Sequence, residues 1–237
     1  MLEPKGRVVM ISGAARGIGL AVAQQLRNAG YSLSLGAREQ TALEDAFGSS
    51  VGPTLSLHPY DADEPAGAQA WVEATLSSHG RIDGLVNNAG IFRKYQLESG
   101  DEADLDAMWR VNVKGPLALI RQAWPHLKAA GSGRVINLAS MSGKRIAGVS
   151  LGYSLSKYAV MALTHQARLD GWDHGIRATA ICPGFVATDM AYSITDEAGE
   201  TMTQPEDVAA LVETALALPN TAAVPEIMVN YRYELVF

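Results

Sequence analysis

The stretch RVVMISGAARGIGLAVAQQLRNAG (residues 7–30) joins two sequence patterns through a glycine-rich turn. Its first residues, RVVMIS, form a short apolar run typical of a buried strand, while residues 18–30 carry apolar side chains at helical spacing and end in glycine. The turn between them contains Gly13, Gly17 and Gly19. Such glycines let the backbone approach a pyrophosphate, which the N-terminus of a helix attracts. The alternative is a helix that only packs closely on a strand.

Strand-like runs and helical patterns alternate along the rest of the chain, and nearly all the strand runs are apolar. This pattern predicts a doubly wound parallel sheet with helices on both faces, a three-layer α/β/α fold. We expect one domain over residues 1–237, with ligands outside the carboxyl ends of the strands. The predicted strands cover residues 7–12, 31–37, 54–58, 82–88, 134–140, 176–182 and 226–231. The predicted helices cover 18–30, 38–47, 64–80, 104–130 (with a break or kink at Gly115-Pro116), 152–173 and 205–217.

Composition excludes several classes of function. The formal net charge of −6 argues against general binding to nucleic acid or anionic membranes. Cys182 is the single cysteine, so no intrachain disulfide is possible. No apolar run approaches the ~20 residues of a membrane-spanning helix, and the five histidines lack the spacing of metal ligands. We therefore expect a cytoplasmic protein with no metal, no membrane and no nucleic-acid partner.

The end of the second predicted strand bears on the choice of dinucleotide. A site for NAD(H) usually places an acidic residue there, to accept hydrogen bonds from the ribose 2′-hydroxyl. In this chain the strand ends at Ala37 and is followed by Arg38, while Arg16 lies inside the glycine turn. Guanidinium groups suit a 2′-phosphate because they offer a planar fork of donors. The pattern predicts NADP(H) in preference to NAD(H), the alternative being that these arginines are simply solvated.

The pentapeptide YSLSK (residues 153–157) lies in a predicted helix, where residues four apart share one face. Tyr153 and Lys157 therefore point the same way. A phenol can donate the proton that carbonyl reduction requires, but its ordinary pKa is about 10. An ammonium group nearby in a partly dry pocket would lower that pKa toward about 7. The alternative is an exposed helix face with two polar residues.

From Ser12 to Val229 the chain resembles the short-chain dehydrogenase/reductase family. The resemblance rests on motifs that occur in order: SGAARGIG (12–19), NNAG (87–90), Asn112, Ser140, YSLSK (153–157) and PGFVATD (183–189). It implies a doubly wound fold with a seven-stranded parallel sheet and nicotinamide-dependent redox chemistry. It also implies a homodimer or homotetramer.

The same resemblance implies roles for individual residues. In the catalytic group, Tyr153 is the acid/base, Lys157 lowers its pKa, Ser140 binds the carbonyl oxygen and Asn112 holds a water for proton resupply. The residues implied to bind the cofactor are Gly13, Arg16, Gly17, Ile18, Gly19, Arg38, Asp61 (at the adenine), Asn88, Ala89, Gly90, Tyr153, Lys157 (at the ribose), Pro183, Gly184, Val186 and Thr188 (with Val186, at the carboxamide).

The substrate side is less clear from the sequence. Lys144 and Arg145, with Arg93 and Lys94, would favour an anionic substrate unless they are solvated loop charges. The lid, about residues 185–204, is short, which predicts a more open pocket or larger substrates. The end PEIMVNYRYELVF is either an interface strand or core. The candidates for substrate contact, with ordinary packing as the alternative, are Phe92, Met141, Lys144, Phe185, Met190 and Tyr192.

These observations lead to one functional hypothesis and two alternatives. The hypothesis is an NADP(H)-dependent oxidoreductase that interconverts a secondary alcohol and a ketone or aldehyde, with a small carbonyl or alcohol compound as substrate. The first alternative is a catalytically silent regulator that binds NADPH, and the second is a scaffold that binds no nucleotide. The complete catalytic group favours the oxidoreductase.

Overall fold

The computed structural model describes residues 1–48, 52–64, 66–146 and 148–234. Its sheet has seven strands: β1 (Val8–Ser12), β2 (Ser32–Ala37), β3 (Leu55–Pro59), β4 (Gly84–Asn87), β5 (Arg134–Leu138), β6 (Arg177–Pro183) and β7 (Glu226–Val229). All neighbours pair in parallel, in the order β3-β2-β1-β4-β5-β6-β7. The order reverses between β1 and β4, and this switch point is where such sheets bind ligands.

Helices cover both faces of the sheet. They are α1 (Gly17–Asn28), α2 (Gln40–Phe47), α3 (Gly67–His79), α4 (Glu102–Trp109), α5 (Gly115–Ala129), α6 (Leu151–Gly171), α7 (Asp189–Tyr192) and α8 (Pro205–Ala217). Successive strand residues point to opposite faces. Accordingly Ile11 packs in a core with Val22 of α1 and Val212 of α8, whereas Met10 packs in a second core with Trp71 of α3. The predicted three-layer architecture is confirmed.

The long helical region before β5 differs from its prediction. The chain stays helical through Gly115 and Pro116, and the irregularity is a π-helical turn over Arg110–Lys114 that joins α4 to α5. Gly115 N donates to Arg110 O, which is the wide bond of a π turn. A Cβ at Gly115 would lie 2.9 Å from Ala62 O, so glycine lets this turn press against the loop after β3. The predicted break or kink at Gly115-Pro116 is therefore wrong, because the irregularity is a π-helical turn that precedes these two residues.

Other boundaries agree to within a few residues, with two exceptions. The short helix α7 and the 3₁₀ turn Gly199–Thr201 lie where the sequence predicts only a lid. The helix predicted over 64–80 begins at Gly67, and its residue 65 lies outside the described residues, as do 235–237 of the C-terminal stretch. Within the described part of the chain, no helix combines the length and apolarity needed to cross a membrane.

A buried polar chain joins the elements that carry the candidate site. Asn87 Nδ2 of β4 donates to Asn137 Oδ1 of β5 over 2.8 Å, and Asn137 Nδ2 donates to Thr164 Oγ1 of α6 over 2.8 Å. All three side chains are buried. Buried hydrogen bonds of this kind fix the relative position of their elements. These hydrogen bonds therefore hold β4, β5 and α6 in fixed positions relative to one another.

Candidate active site

The glycine turn between β1 and α1 leaves no room for side chains. Gly13 and Gly17 have φ values of +66° and +54°, a region that favours glycine. A Cβ at Gly19 would lie 2.2 Å from Gly13 O and 2.4 Å from Asn88 Nδ2. Arg16 is the N-cap of α1, and among the described residues no side chain caps this helix end. The N–H groups of its first turn, which includes Ile18, are therefore oriented as an anion site requires.

The loop after β4 is fastened to the same turn by Ser12. Its Oγ accepts hydrogen bonds from Asn88 N and Ala89 N, both over 3.1 Å. Asn88 Nδ2 in turn donates to Ser12 O over 3.1 Å and to Gly13 O over 3.0 Å. Sequence reasoning missed the role of Ser12, although a buried serine at the end of an apolar strand was an available signal. The structure thus brings together the glycine turn and the loop of Asn88, Ala89 and Gly90.

Tyr153 lies in the first turn of α6, and its position depends on the N-cap of that helix. Ser150 Oγ accepts from Tyr153 N over 3.2 Å and donates to Arg93 O over 2.8 Å. This serine therefore caps the helix and also binds the loop after β4. The Phe92 ring lies 5.4 Å from the Tyr153 ring, centroid to centroid.

Lys157 lies one turn after Tyr153 and on the same face, as the spacing predicts. Its Nζ is 5.5 Å from the Tyr153 ring centroid and donates to Leu138 O, at the end of β5, over 2.7 Å. Burial lowers the Lys157 pKa to about 8, because the ammonium ion loses its water.

The Tyr153 pKa shifts in the direction opposite to that predicted. The protein around the phenol, by excluding water, raises its pKa to about 12, and a hydrogen bond with the Ser140 side chain offsets this in part. The sequence argument overestimated the effect of Lys157, because it ignored the loss of water around the phenol. In the protein alone, Tyr153 is a neutral phenol at neutral pH.

Ser140 lies two residues after β5 and is the N-cap of the 3₁₀ turn Met141–Gly143, which packs against α6. Its Oγ accepts from Ser142 N over 3.1 Å and lies 3.5 Å from Pro183 O. A Cβ at Gly143 would lie 2.7 Å from Lys157 O, so glycine allows this close packing. The structure therefore brings Ser140, Tyr153, Lys157 and Pro183 together at the carboxyl ends of β5 and β6.

Asn112 lies in the π-helical turn, and its side chain binds the loop after β4. Oδ1 accepts from Ile91 N over 2.8 Å, while Nδ2 donates to Ile91 O and to Ser156 Oγ, both over 3.0 Å. A Cβ at Gly90 would lie 3.3 Å from Asn112 Oδ1 and 3.9 Å from Lys157 Nζ, so both groups flank Gly90. Both Nδ2 hydrogens are engaged, and the second lone pair of Oδ1 is the place where a water would bind.

The two arginines predicted at the 2′ position are both exposed. Arg16 Nη1 pairs with Asp189 Oδ2 over 3.1 Å, and Arg38 follows the buried Ala37 at the end of β2. Thr188 lies against the glycine turn, because a Cβ at Gly17 would be 3.2 Å from its Cγ2. Asp61 Oδ1 accepts from Asp63 N over 2.9 Å in the loop after β3. Of the described residues, no three His, Cys, Asp or Glu side chains gather as metal ligands would.

The predicted substrate contacts divide into two groups. Met141 is 1% exposed and packs with Met161 and Cys182 in a small core cluster, which corrects its predicted place in the substrate wall. Lys144 Nζ pairs with Glu226 Oε2 over 2.6 Å, so its charge is neither solvated nor unpaired. Phe92 lies on the loop after β4, Phe185 on the loop after β6, and Met190 and Tyr192 in α7, and all four stay candidates.

Comparison with known proteins explains this arrangement. Residues 7–199 match the family model described as short chain dehydrogenase. The chain belongs to the short-chain dehydrogenase family.

Individual short-chain dehydrogenases are similar over most of the chain. The agropine synthesis reductase of Rhizobium rhizogenes is 43% identical over 92% of this chain, which spans 51% of that reductase. An alcohol dehydrogenase of the archaeon Thermococcus sibiricus, with 5-hydroxy-NADP, has a TM-score of 0.85 and 29% identity, covering 94% of this chain and 95% of its own. The 3-ketoacyl-(acyl-carrier-protein) reductase of Brucella melitensis, with NADH, has a TM-score of 0.87 and 26% identity, covering 96% and 98%.

The residues of this chain fit a nicotinamide dinucleotide. The glycine turn provides a backbone cradle that any Cβ would fill, and the first turn of α1 contains no acidic residue that would repel a pyrophosphate. The carboxyl ends of β4 and β5 continue the site toward Tyr153.

Proposed function

We propose that this short-chain dehydrogenase is an NADP(H)-dependent oxidoreductase that interconverts a secondary alcohol and a ketone or aldehyde. The observation that carries the proposal is the convergence of Ser140, Tyr153 and Lys157 beside Gly90, next to the glycine turn. This set combines a hydroxyl donor, a phenolic proton and a cation at the end of the dinucleotide cradle. Carbonyl reduction requires these three groups.

Each side chain has a separate task. When bound, the nicotinamide supplies or accepts the hydride, and its oxidised ring carries a positive charge. Ser140 Oγ donates a hydrogen bond to the substrate oxygen, and Tyr153 Oη gives that oxygen its proton as negative charge develops on it. Lys157 stabilises the resulting phenolate. A water on Asn112 Oδ1 then returns a proton from solvent by way of Lys157.

The opposite pKa shifts suit the direction of reduction. A pKa of about 12 keeps Tyr153 protonated at neutral pH, so the donor is ready before substrate binds. A pKa of about 8 leaves Lys157 mostly charged at neutral pH, and that charge is lost as pH rises above 8. Reduction should therefore weaken in alkaline solution, because the phenolate formed by proton transfer loses its neighbouring cation.

The preference for NADP(H) rests on charge. The side chain of Arg38 is exposed just beyond β2, and exposed Arg16 lies in the glycine turn. Two cations beside the expected ribose favour a 2′-phosphate over a 2′-hydroxyl. The related structures hold 5-hydroxy-NADP in one case and NADH in another, so the proposed preference rests on the residues of this chain.

The test is turnover of a carbonyl panel by the wild type and by Tyr153→Phe, with NADPH and NADH compared in parallel. General acid catalysis is worth about 10²–10⁴-fold, so the variant should lose at least about a hundredfold in kcat while it still binds NADPH. Tyr158→Phe is the matched control, because Tyr158 lies on the same helix and is 42% exposed. The wild type should have a lower Kd for NADPH than for NADH.

Three outcomes would overturn parts of the proposal. A Tyr153→Phe variant as fast as the wild type would remove the assigned proton donor. Saturable NADPH binding with no turnover of any compound would favour a silent regulator. Equal affinity for NADPH and NADH would remove the assigned role of the two arginines.

We extend the proposal to the substrate, the partners, the cellular location and the assembly of the protein. The substrate is a small carbonyl or alcohol compound, and neither nucleic acid nor membrane is a partner, given the net charge of −6. The buried thiol of Cys182 agrees with a cytoplasmic location. A homodimer or homotetramer is the expected assembly, and sedimentation velocity measures it.

A further inference from the structure

The residues after β7, Asn230–Glu234, here called the post-β7 segment, pack on the motif at the end of β6. Gly184 N, one residue beyond β6, donates to Val229 O at the end of β7 over 2.8 Å, so the segment starts beside this motif. The Tyr231 ring lies 5.8 Å from the Phe185 ring at an angle of 65°. A Cβ at Gly184 would lie 3.1 Å from the Tyr231 ring. The segment therefore lies against the Pro183–Phe185 side of the candidate active site.

Two ion pairs join this segment to the loops on either side of the site. Arg232 Nη1 lies 3.2 Å from Glu197 Oε1, in the stretch between α7 and α8. Arg145, in the loop between Ser140 and Tyr153, pairs with Glu234. The second pair is the better shielded, with side chains 21% and 14% exposed, compared with 63% and 37% in the first. The segment thus bridges the two loops that flank the catalytic group.

These contacts also neutralise the cations that the sequence places near the substrate. Arg145 is matched by Glu234, and Lys144 is matched by Glu226, the first residue of β7. Arg93, on the loop after β4, lies 3.5 Å from Asp104. Three of the four cations that the sequence places near the substrate therefore have a carboxylate partner. The fourth, Lys94, is exposed on the loop after β4.

We propose that the post-β7 segment is a specificity wall that selects uncharged carbonyl compounds, and that Glu234 is its specificity-determining residue. The proposal rests on the carbonyl reduction proposed above. An unpaired arginine at position 145 would offer its planar fork to a substrate carboxylate. With Glu234 in place, a carboxylate substrate would have to displace an internal carboxylate and would be repelled by it. An uncharged ketone meets neither cost and packs against Phe185 and Tyr231.

The experiment compares one aromatic ketone in two charge states, 4-acetylbenzoate and its methyl ester, in the wild type and in Glu234→Gln. Glutamine keeps the size and a hydrogen-bond acceptor but removes the charge. We expect the ratio of kcat/KM for the acid over the ester to rise by about tenfold or more, the range of one charge-assisted bond. Glu73→Gln, at an exposed position of α3, is the matched control and should leave the ratio unchanged.

A second variant tests whether a change in the ratio comes from the unpaired Arg145 and not from altered folding. Arg145→Gln combined with Glu234→Gln deletes both charges, so the ratio should return to within about twofold of the wild type. A ratio that does not move in Glu234→Gln, or a wild type that prefers the acid, would overturn the proposal.

The experiment distinguishes an error in the proposed oxidoreductase activity from an error in the proposed selectivity of the post-β7 segment. If no carbonyl compound is turned over, the shift in melting temperature that 4-acetylbenzoate causes in NADP-saturated protein replaces kcat/KM as the measurement. A larger shift in Glu234→Gln than in the wild type then supports the wall without turnover. Equal shifts in the two proteins contradict it.

Discussion

The cofactor side and the substrate side of the site are held together by different interactions. On the cofactor side, Gly13, Gly19, Ser12 and Asn88 meet through backbone contacts and short hydrogen bonds. On the substrate side, the post-β7 segment meets its neighbours through ion pairs such as that of Arg145 with Glu234. On the cofactor side, an added Cβ at Gly19 would clash with the backbone of Gly13. On the substrate side, the contacts depend on which charged side chains are present.

This difference explains how one scaffold can keep a cofactor and change its substrate. The cofactor side requires a few fixed residue types, namely the glycines, the Ser12 hydroxyl and the Asn88 amide, each of which contacts backbone atoms. Ion pairs on loops are side-chain properties, and a single substitution alters their charge without moving a strand. Tyr153 and Lys157 lie where the two sides meet, and their opposite pKa shifts reflect the burial that both sides impose.

The largest effect should come from Gly19→Ala, which breaks the cofactor side. The new Cβ would lie 2.2 Å from Gly13 O, a backbone atom that can move only if the turn opens. We expect a loss of about 3 kcal/mol in the free energy of unfolding, the upper range for overpacking, and a loss of NADPH binding by calorimetry.

Gly67→Ala is the control for that prediction, because it also adds a methyl group to the first turn of a helix. A Cβ at Gly67 meets its nearest neighbour, Tyr60, at 3.9 Å, so stability should be kept or slightly improved. Equal behaviour of the two variants in urea unfolding would show that the glycine turn is not the rigid part of the molecule.

The next largest effect is a gain in the free energy of unfolding, expected for Lys157→Met. Lys157 lies where the cofactor side and the substrate side meet. The shift of the Lys157 pKa from 10.5 to about 8 means that folding disfavours the ammonium form. At about 1.4 kcal/mol per unit, this destabilises the folded protein by about 3 kcal/mol. Methionine removes the charge at similar size, so the cofactor-free variant should be about 2 kcal/mol more stable at pH 7 while its turnover falls at least about a hundredfold.

The pH dependence of that gain follows from proton binding. Between pH 8 and 10.5 the unfolded wild type keeps a proton that the folded state has lost, so its stability rises with pH. The advantage of Lys157→Met should therefore be full below pH 8 and disappear as pH approaches 10.5. Lys114→Met, at an exposed position, should show no such trend. A constant difference across this range would contradict the assigned cause.

The smallest effect should come from Asp189→Asn, which cuts a contact between the two sides. Arg16 and Asp189 are 74% and 75% exposed, so their pair is worth less than about 1 kcal/mol of stability. Freeing Arg16 should tighten NADPH binding by about twofold to fivefold and leave NADH binding unchanged. Asp196→Asn, in the same segment, is the control. Equal tightening for both cofactors would show that Arg16 does not face the 2′ position.

Much of the cofactor side was predictable from local sequence because its physical basis is local. The glycines are required by a turn of a few residues, and the four-residue spacing of Tyr153 and Lys157 follows from helix geometry. The sequence pattern also predicted the parallel sheet, since buried strands are apolar on both faces. The role of Ser12 was missed because its partners, Asn88 and Ala89, are remote in sequence.

The substrate side could not be predicted in the same way. Lys144 and Arg145 look unpaired in sequence, because Glu226 and Glu234 lie more than eighty positions away. The raised Tyr153 pKa likewise depends on how much water the folded protein excludes, which no spacing rule reports.

By itself, the sequence determined the layered fold, because hydrophobic periodicity encodes it, and it predicted the dinucleotide turn and the candidate catalytic group from short-range geometry and family motifs. Only the tertiary structure decided which charges are paired, where the π-helical turn falls and how the pKa values shift. Those properties depend on contacts between distant segments and on the exclusion of water, and neither exists until the chain has folded.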